Sequence, residues 1–155
     1  RIILKMNALQ DPAMIERLYE ASQAGVQIDL IVRGICCLKP NQPYSKNIRI
    51  TRIVDSFLEH SRVWYFGHIG RSTLFLGSPD FMRRNLYRRI EAVTPVLDKD
   101  IKAQLIKMLH IQLADKRKAS FVDEHLQHQW KSPNPQQEAI RSQYTFYDYL
   151  KDLNK

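Results

Sequence analysis

Apolar and polar positions divide the start of the chain into a strand, a helix and a second strand. "RIILKM" alternates weakly, as a buried strand does. Asp11 and Pro12 form a helix start, and apolar residues then recur at helical spacing until Gly25 supplies a stop. "VQIDLIV" (26–32) is the next apolar run. A helix between two such runs predicts a right-handed crossover and a parallel strand pair.

Further apolar runs predict more strands, followed by a long helix. After a loop punctuated by Pro40 and Pro43 come "IRITRIV", "RVWYFGH" and "STLFLGS", and "RRIEAVTPV" closes the set. Glycines and prolines between the runs indicate turns. Asp98 caps an amphipathic helix, "KDIKAQLIKMLHIQLAD", with its apolar residues on one face. The pattern predicts an α/β fold, a mixed sheet flanked by helices.

The pattern changes after Asp115. Residues 116–139 are polar and interrupted by proline, which predicts an extended arm, and 137–155 read as a helix with an aromatic stripe. This tail has too few apolar residues for a core of its own. We therefore divide the chain into a domain at 1–115 and a C-terminal arm and helix at 116–155. The tail docks on that domain or on a neighbour that the chain lacks.

Length and composition limit the class of protein. The chain has 155 residues, 44% of them hydrophobic, which suits one compact domain with an appendage. No apolar run reaches the roughly 20 residues of a membrane span, and no signal peptide is evident. We expect a cytoplasmic protein, peripheral membrane association being compatible with this. Because the first residue is not Met and lies at the start of an apolar run, we expect a fragment of a longer polypeptide.

The charge balance favours an anionic partner. Lys and Arg outnumber Asp and Glu by 24 to 16, a net charge of +8. Such a field attracts nucleic acid, nucleotides, polyanions or acidic lipid headgroups, and charge alone does not choose among them. The adjacent Cys36 and Cys37 match no zinc pattern and predict reduced thiols.

One group of residues suits phosphate chemistry. His60 is followed by Arg62, and Ser78 and Asn85 stand in "GSPDFMRRN". A histidine can attack phosphorus or carry a proton near neutral pH, and a cation beside it offsets charge on phosphate oxygens. Ser78 and Asn85 can donate hydrogen bonds to the same oxygens. On a strand, positions 60 and 62 point to one face, so both side chains are expected to address one phosphate.

Five more arginines extend this candidate site. Arg33 ends the second strand, where open α/β sheets bind ligands, and a guanidinium can form paired hydrogen bonds with a phosphate. The other four follow "GSPDF" and are Arg83, Arg84, Arg88 and Arg89. They either line a channel for a polyanionic chain or form a solvated face with ion pairs, including one to Glu91. Both interpretations stay open.

These residues resemble known families. His60, Arg62, the Gly-Ser pair and Asn85 resemble the second half-motif of the phospholipase D superfamily, with arginine where that family has lysine. Three longer blocks resemble the last catalytic domain of bacterial polyphosphate kinases more closely. They are "KMNALQDPAMIERLYEASQAGVQIDLIVRGICCL", "RIVDSFLEHSRVWYFG" and "GSPDFMRRNLYRRIEAVTPV". With the closing "YDYLKDL", the resemblance covers nearly the whole chain.

The resemblance implies a phospholipase-D-like half and a phosphotransferase that reversibly moves the terminal phosphate of ATP to polyphosphate. Arg33 matches the family's arginine that contacts nucleotide phosphates, and His60 matches its second active-site histidine, near the phosphates of ATP. The family's phosphorylated histidine, magnesium-binding arginines and adenine-contacting tyrosine belong to upstream domains. The implied partners are ATP or ADP, polyphosphate, Mg²⁺ held upstream and the upstream domains themselves, in a homo-oligomer. The isolated chain is then expected to be inactive.

Two other functions stay open. A dimeric phospholipase-D-like phosphodiesterase or nuclease would bring two His60 residues together and cleave without metal, although Arg62 in place of lysine counts against it. A basic nucleic-acid-binding module needs aromatic residues interleaved with the basic ones. Only Tyr87 lies within the arginine cluster, so nucleic acid is not the expected partner.

Overall fold

A computed structural model describes residues 1–130 and 139–153, in which eight strands form one sheet and four helices accompany it. In chain order the elements are β1 (Ile2–Met6), α1 (Pro12–Gln23), β2 (Ile28–Val32), β3 (Ile48–Ile53), β4 (Arg62–His68), β5 (Arg71–Gly77), α2 (Arg83–Arg88), β6 (Val93–Pro95), α3 (Lys99–Leu113), β7 (Ala119–Val122), β8 (His128–Trp130) and α4 (Ser142–Leu153).

The predicted strand–helix–strand unit is confirmed. The Asp11 side chain accepts a hydrogen bond from the Met14 amide at 3.0 Å and caps α1, with proline in the first turn. Gly25 follows the end of α1 at φ 88°, a backbone conformation that glycine adopts without steric cost. β1 and β2 then pair in parallel, from Ile2 opposite Ile28 onwards.

Strand order places several chain segments at one edge of the sheet. The order is β6-β5-β4-β1-β2-β3-β7-β8. β3 runs parallel to β2, while β4 is antiparallel to β1 and β5 is antiparallel to β4. The carboxyl ends of β1, β2, β3 and β5 therefore meet the start of β4 at the same edge. We call this the carboxyl edge.

Both faces of the sheet are covered, as a mixed sheet flanked by helices requires. Leu4 of β1 faces a core that includes Ile15 of α1. The neighbouring Ile3 faces a second core that includes Leu109 of α3, and all four side chains are buried. The alternation along β1 explains why its sequence reads as a nearly continuous apolar run. The predicted fold class is confirmed.

The last of the predicted strands, at residues 88–96, is shorter than expected. α2 extends to Arg88, and only Val93–Pro95 forms β6, pairing with the last three residues of β5. α2 begins where the Met82 carbonyl accepts amide hydrogen bonds from Asn85 and Leu86, at 3.0 Å each. The helix takes only the first residue of the predicted strand, and residues 89–92 form neither helix nor strand.

The segment predicted as an extended arm contributes two strands. β7 pairs antiparallel with β3, and β8 pairs with β7, which extends the main sheet. Asp115 sets the turn before β7, because its side chain accepts hydrogen bonds from the amides of Arg117, Lys118 and Ala119. The remainder of the arm, 131–138, lies outside the described residues.

The predicted C-terminal helix is present as α4, which contacts α3 and contributes Phe146 to the second core. Docking of the whole tail on the body stays a prediction, which the packing of α4 supports. The division at Asp115 stays a prediction. Within residues 1–130 and 139–153, no helix combines the length and apolar character needed to span a bilayer.

Candidate functional site

The candidate site lies at the carboxyl edge. Asn7 follows β1, Arg33 follows β2, Ser78 follows β5 and Arg62 begins β4. Backbone hydrogen bonds join the first segments, since the Gly34 amide donates to the Asn7 carbonyl at 2.8 Å. The topology thus brings together side chains that are far apart in sequence, as expected for an open α/β sheet.

Arg62 is held by a buried carboxylate. Its Nε and Nη2 donate to the two carboxylate oxygens of Asp80 at 3.3 and 3.0 Å, and both side chains are mostly buried. The Asn7 amide also donates to Asp80, at 2.7 Å. Burial alone raises the pKa of Asp80, but the hydrogen bonds from Arg62 and Asn7 outweigh it and leave that pKa below its usual value. The sequence showed Asp80 within the motif but gave it no role.

His60 is exposed and is held by Arg62. Nη1 of Arg62 lies 3.1 Å from His60 Nδ1 and donates to the His60 carbonyl at 2.9 Å. A guanidinium has only donors, so Nδ1 must be the acceptor and the neutral imidazole carries its proton on Nε2. Nε2 has no partner among the described residues, and it is the nitrogen available to a ligand.

The structure brings His60 and Arg62 together by a different route from the one predicted. We expected both on one strand face, but β4 begins only at Arg62 and His60 lies in the preceding loop. The contact is made by the long arginine side chain reaching back to the loop. The prediction of strand geometry at His60 was therefore wrong, while the proximity was right.

Ser78 and Asn85 both donate hydrogen bonds to the carboxylate of Glu91. The Ser78 hydroxyl donates to Glu91, and Asn85 Nδ2 donates to the other oxygen of Glu91 at 2.6 Å. These two hydrogen bonds lower the pKa of Glu91, the one from Ser78 most, and outweigh the effect of desolvation. Asn85 Oδ1 is buried without a donor among the described residues. The predicted phosphate contacts of Ser78 and Asn85 stay predictions, and Glu91 as their partner was missed.

Arg33 is half-buried, with a free guanidinium. Its backbone carbonyl accepts from Arg52 Nε at 2.7 Å, but within the described ranges its guanidinium has no acceptor. Arg33 lines a cavity of about 10 Å³ together with Lys5, Glu59 and Gln112. That is close to the least volume that holds one water, and a water there would satisfy the unpaired Gln112 Oε1.

A buried ion pair beneath the site was not foreseen. Lys5 Nζ lies 3.2 Å from Glu59 Oε2 and donates to the Ser61 carbonyl at 3.3 Å. Its side chain is only 2% exposed, and burial lowers the pKa of Lys5 despite the attraction of Glu59. Glu59 thus faces inward, away from His60. The only signal was a lysine within an apolar run, which a snorkelling surface residue also explains.

The arginine cluster is exposed. Arg83, Arg84 and Arg88 lie on α2 and Arg89 follows it, and all four are exposed. Among the described residues none forms an ion pair within 4.0 Å, including with Glu91. The predicted channel for a polyanion stays a prediction. No group of three or more His, Cys, Asp or Glu side chains suited to a metal occurs in the part of the chain described.

Comparison with known proteins gives the family. The family model "Polyphosphate kinase C-terminal domain 2" matches residues 1–143. A polyphosphate kinase of Halalkalibacterium halodurans is 48% identical over 148 residues, which is 95% of this chain and 21% of that protein. The crystal structure of polyphosphate kinase from Porphyromonas gingivalis matches with a TM-score of 0.95 at 51% identity, over 98% of this chain and 23% of that one.

A more distant structure supports the fold alone. The phospholipase D family member Nuc from Salmonella typhimurium matches with a TM-score of 0.59 at 14% identity, covering 79% of this chain and 81% of that one. The predicted phospholipase-D-like architecture is confirmed. The chain spans about a fifth of the length of the curated relatives it matches. Since the family model covers most of it, the chain belongs to the polyphosphate kinase family and corresponds to the second C-terminal domain of those proteins.

Proposed function

We propose that this chain supplies one half of an active site that reversibly transfers the terminal phosphate of ATP to polyphosphate. The observation that carries the proposal is the orientation of His60. Arg62, itself held by Asp80, occupies Nδ1 of His60 and leaves Nε2 exposed at the carboxyl edge. On this proposal the phosphorylated histidine belongs to an upstream part of the polypeptide.

His60 acts through Nε2 in this proposal. With Nδ1 accepting from Arg62, the neutral ring presents an N–H at Nε2, which donates a hydrogen bond to a phosphate oxygen. Arg62 uses four of its five N–H groups on Asp80 and His60, which leaves one for a phosphate. Its main contribution is therefore to orient His60.

Arg33 binds the nucleotide phosphates. All the N–H groups of its guanidinium are without acceptors among residues 1–130 and 139–153, and paired hydrogen bonds to phosphate oxygens would satisfy several at once. Mg²⁺, when bound, would neutralise phosphate charge. The family resemblance places its ligands in the upstream part of the polypeptide.

The four exposed arginines after β5 are proposed to guide polyphosphate. A polymer of phosphates releases counterions when it meets clustered cations, whatever its length. The proposed cellular setting is a cytoplasmic homo-oligomer, and it rests on the family resemblance. The assignment to polyphosphate kinases favours phosphate transfer over the phosphodiesterase and nucleic-acid-binding alternatives.

The test uses the intact polyphosphate kinase that carries this chain. His60→Ala and Arg33→Ala are each assayed for polymer synthesis from ATP and for ATP formation from polyphosphate and ADP. His68→Ala is the matched control, since His68 is an exposed histidine at the opposite end of β4. We expect losses of about 100-fold or more for His60→Ala, typical of removing one hydrogen-bond donor to the transition state, and a raised KM for ATP in Arg33→Ala. Normal rates in both variants would refute the proposal.

The chain by itself is expected to be inactive. Incubated with radiolabelled ATP and Mg²⁺, the 155-residue chain should neither label itself nor elongate polyphosphate, because the phosphorylated histidine lies elsewhere. Labelling of the chain that disappears in His60→Ala would show that His60 itself is the phosphorylated residue, contrary to the proposal.

A further inference from the structure

The segment that carries His60 has no regular backbone structure. Residues 54–61, which we call the His60 loop, lie between β3 and β4 and form neither helix nor strand. Without ladder hydrogen bonds, the shape of such a segment depends on groups supplied by other elements. The structure identifies those groups, and two of them lie at the start of α4.

Arg141 is the first of the two. Its Nε and Nη2 donate to the two carboxylate oxygens of Asp55 at 2.9 and 2.6 Å, and Nη2 also donates to the Ser56 hydroxyl at 2.9 Å. The Asp55 side chain is only 1% exposed, so the pair is shielded on the loop side. A two-point contact of this kind fixes orientation as well as distance.

Gln143 is the second. Its Oε1 accepts from the Phe57 amide at 2.9 Å, and its Nε2 donates to the Phe57 carbonyl at 2.8 Å. One amide side chain therefore makes both backbone hydrogen bonds that a neighbouring strand would make. Nε2 also donates to Glu59 Oε1 at 3.0 Å, one residue before His60.

The two residues are themselves anchored to the body of the domain. The Ser142 amide between them donates to the buried Asp115 carboxylate at 2.7 Å. Phe146, one turn on, packs in the core beneath α3. Glu59 is also held from the other side, by its ion pair with Lys5 and by a hydrogen bond from Gln112 Nε2 at 2.8 Å. The His60 loop is thus fixed between the sheet and the first turn of α4.

We infer that Arg141 and Gln143 are positioning residues for His60, so that the C-terminal helix sets the geometry of the phosphate-transfer site. The inference rests on the proposed function, in which His60 contacts phosphate. Each residue lies 80 or more positions from its loop partners in the sequence, so it contacts the loop only because the fold brings them together. Their effect is to hold the backbone from which His60 projects.

The experiment uses the intact polyphosphate kinase, with Arg141→Ala, Gln143→Ala and the control Lys151→Ala. Lys151 is exposed on the same helix and has no partner among the described residues. We expect kcat to fall about 10- to 100-fold in the first two variants, the cost of displacing a reacting group by about 1 Å. KM for ATP should change little, because Arg33 is untouched. Arg141→Lys, which keeps the charge but loses the two-point contact, should recover part of the rate.

Hydrogen exchange followed by mass spectrometry supplies a readout besides activity. Exchange should rise within residues 54–61 in Gln143→Ala, where the Phe57 amide loses its acceptor, and stay unchanged in β1 and β2. A uniform rise across those strands would make the effect a general loss of stability and overturn the inference. So would full activity with unchanged exchange in both alanine variants.

The two proposals fail in different ways. If His60→Ala is inactive while Arg141→Ala and Gln143→Ala are normal, only the positioning inference falls. If His60→Ala is fully active, the proposed function falls as well, whatever happens at α4.

Discussion

Arg62 and Asp80 form a two-point ion pair beneath His60, with guanidinium nitrogen to carboxylate oxygen distances of 3.0 and 3.3 Å. The arginine side chain is 13% exposed and the aspartate side chain 8%. The same arginine reaches His60 through its remaining terminal nitrogen. Asp80 therefore fixes the tautomer and the direction of His60 through one intermediary.

Removing the carboxylate should cost stability as well as activity. Asp80→Asn leaves Arg62 without its counter-charge in a mostly buried site, and we expect about 3 kcal/mol lower free energy of unfolding. Urea denaturation of the chain at pH 7 measures it. The control is Asp29→Asn, which breaks the pair with Arg1, a side chain that is 48% exposed, and should cost about 1 kcal/mol or less. Equal losses in the two variants would show that burial does not increase the contribution of the Arg62–Asp80 pair to the free energy of unfolding.

The pair between Lys5 and Glu59 should behave as a buried charge pair does. Glu59→Gln strands the lysine ammonium and should cost about 3 kcal/mol in urea denaturation. Adding Lys5→Met removes the stranded charge and should restore most of that loss, because apolar replacements of buried pairs are often neutral or better. A double variant no more stable than Glu59→Gln would contradict this account. For the exposed pair of Arg17 and Glu20, Glu20→Gln should leave the free energy of unfolding essentially unchanged, because water screens the two charges.

Acid should release the start of α4. The hydrogen bond from Arg141 lowers the pKa of Asp55, and backbone hydrogen bonds lower that of Asp115 despite its burial. A lowered pKa means that the folded chain binds the proton less readily than the unfolded chain. The stabilisation is therefore complete above roughly pH 5 and is lost as the pH falls below about 4, through the folded-state values.

The Phe57 amide reports this release, because it bonds to Gln143. Its NMR shift should stay constant from pH 7 to about 5 and move at lower pH, before amides of β1 and β2 respond. In the double variant Asp55→Asn and Asp115→Asn, the amide should already be displaced at pH 7. A shift that moves only together with global unfolding would show that α4 does not separate independently.

Polyphosphate binding should depend on salt through the exposed arginines. Replacing Arg84 and Arg88 by glutamine removes two cations, so the slope of log affinity against log salt should fall by about 1.4, taking roughly 0.7 per phosphate contact for a single strand. Titration of the intact enzyme between low and moderate salt measures it. The control removes the exposed Lys46 and Arg71, at the opposite edge of the sheet, and should leave the slope unchanged. Equal slopes for the two double variants would argue against a channel at α2.

The regular part of the fold could be predicted because local signals agreed there. Asp11, Pro12 and Gly25 delimit α1, and the strands at 28–32 and 48–53 are bounded by turns. β7 and β8 could not be found this way. They are short, only four and three residues long, and they are specified by pairing with β3 and by the turn at Asp115, neither of which leaves a periodic pattern.

Some residues of the candidate site could likewise be predicted from the sequence, and others could not. His60, Arg62 and Arg33 could be predicted, because their residue types suit phosphate chemistry and because they lie near the ends of predicted strands. Glu91, Lys5 and Gln143 could not be assigned, because their roles depend on partners that the fold brings together. Gln143 is an amide near the end of the chain, and nothing local distinguishes it from a solvent-exposed one. Its role is evident only from its contacts with Phe57 and Glu59, 86 and 84 positions away.

The dependence of the His60 loop on Gln143 has a consequence for synthesis of the protein. A ribosome makes β1 to β5 well before it reaches residue 141, and those strands can pair as soon as they emerge. The loop that carries His60 must wait, because the amide that holds Phe57 follows it by 86 positions in the chain. A product truncated before residue 141 would therefore keep its sheet yet lack an ordered reactive edge, so that the site becomes competent only after residue 143 has been made.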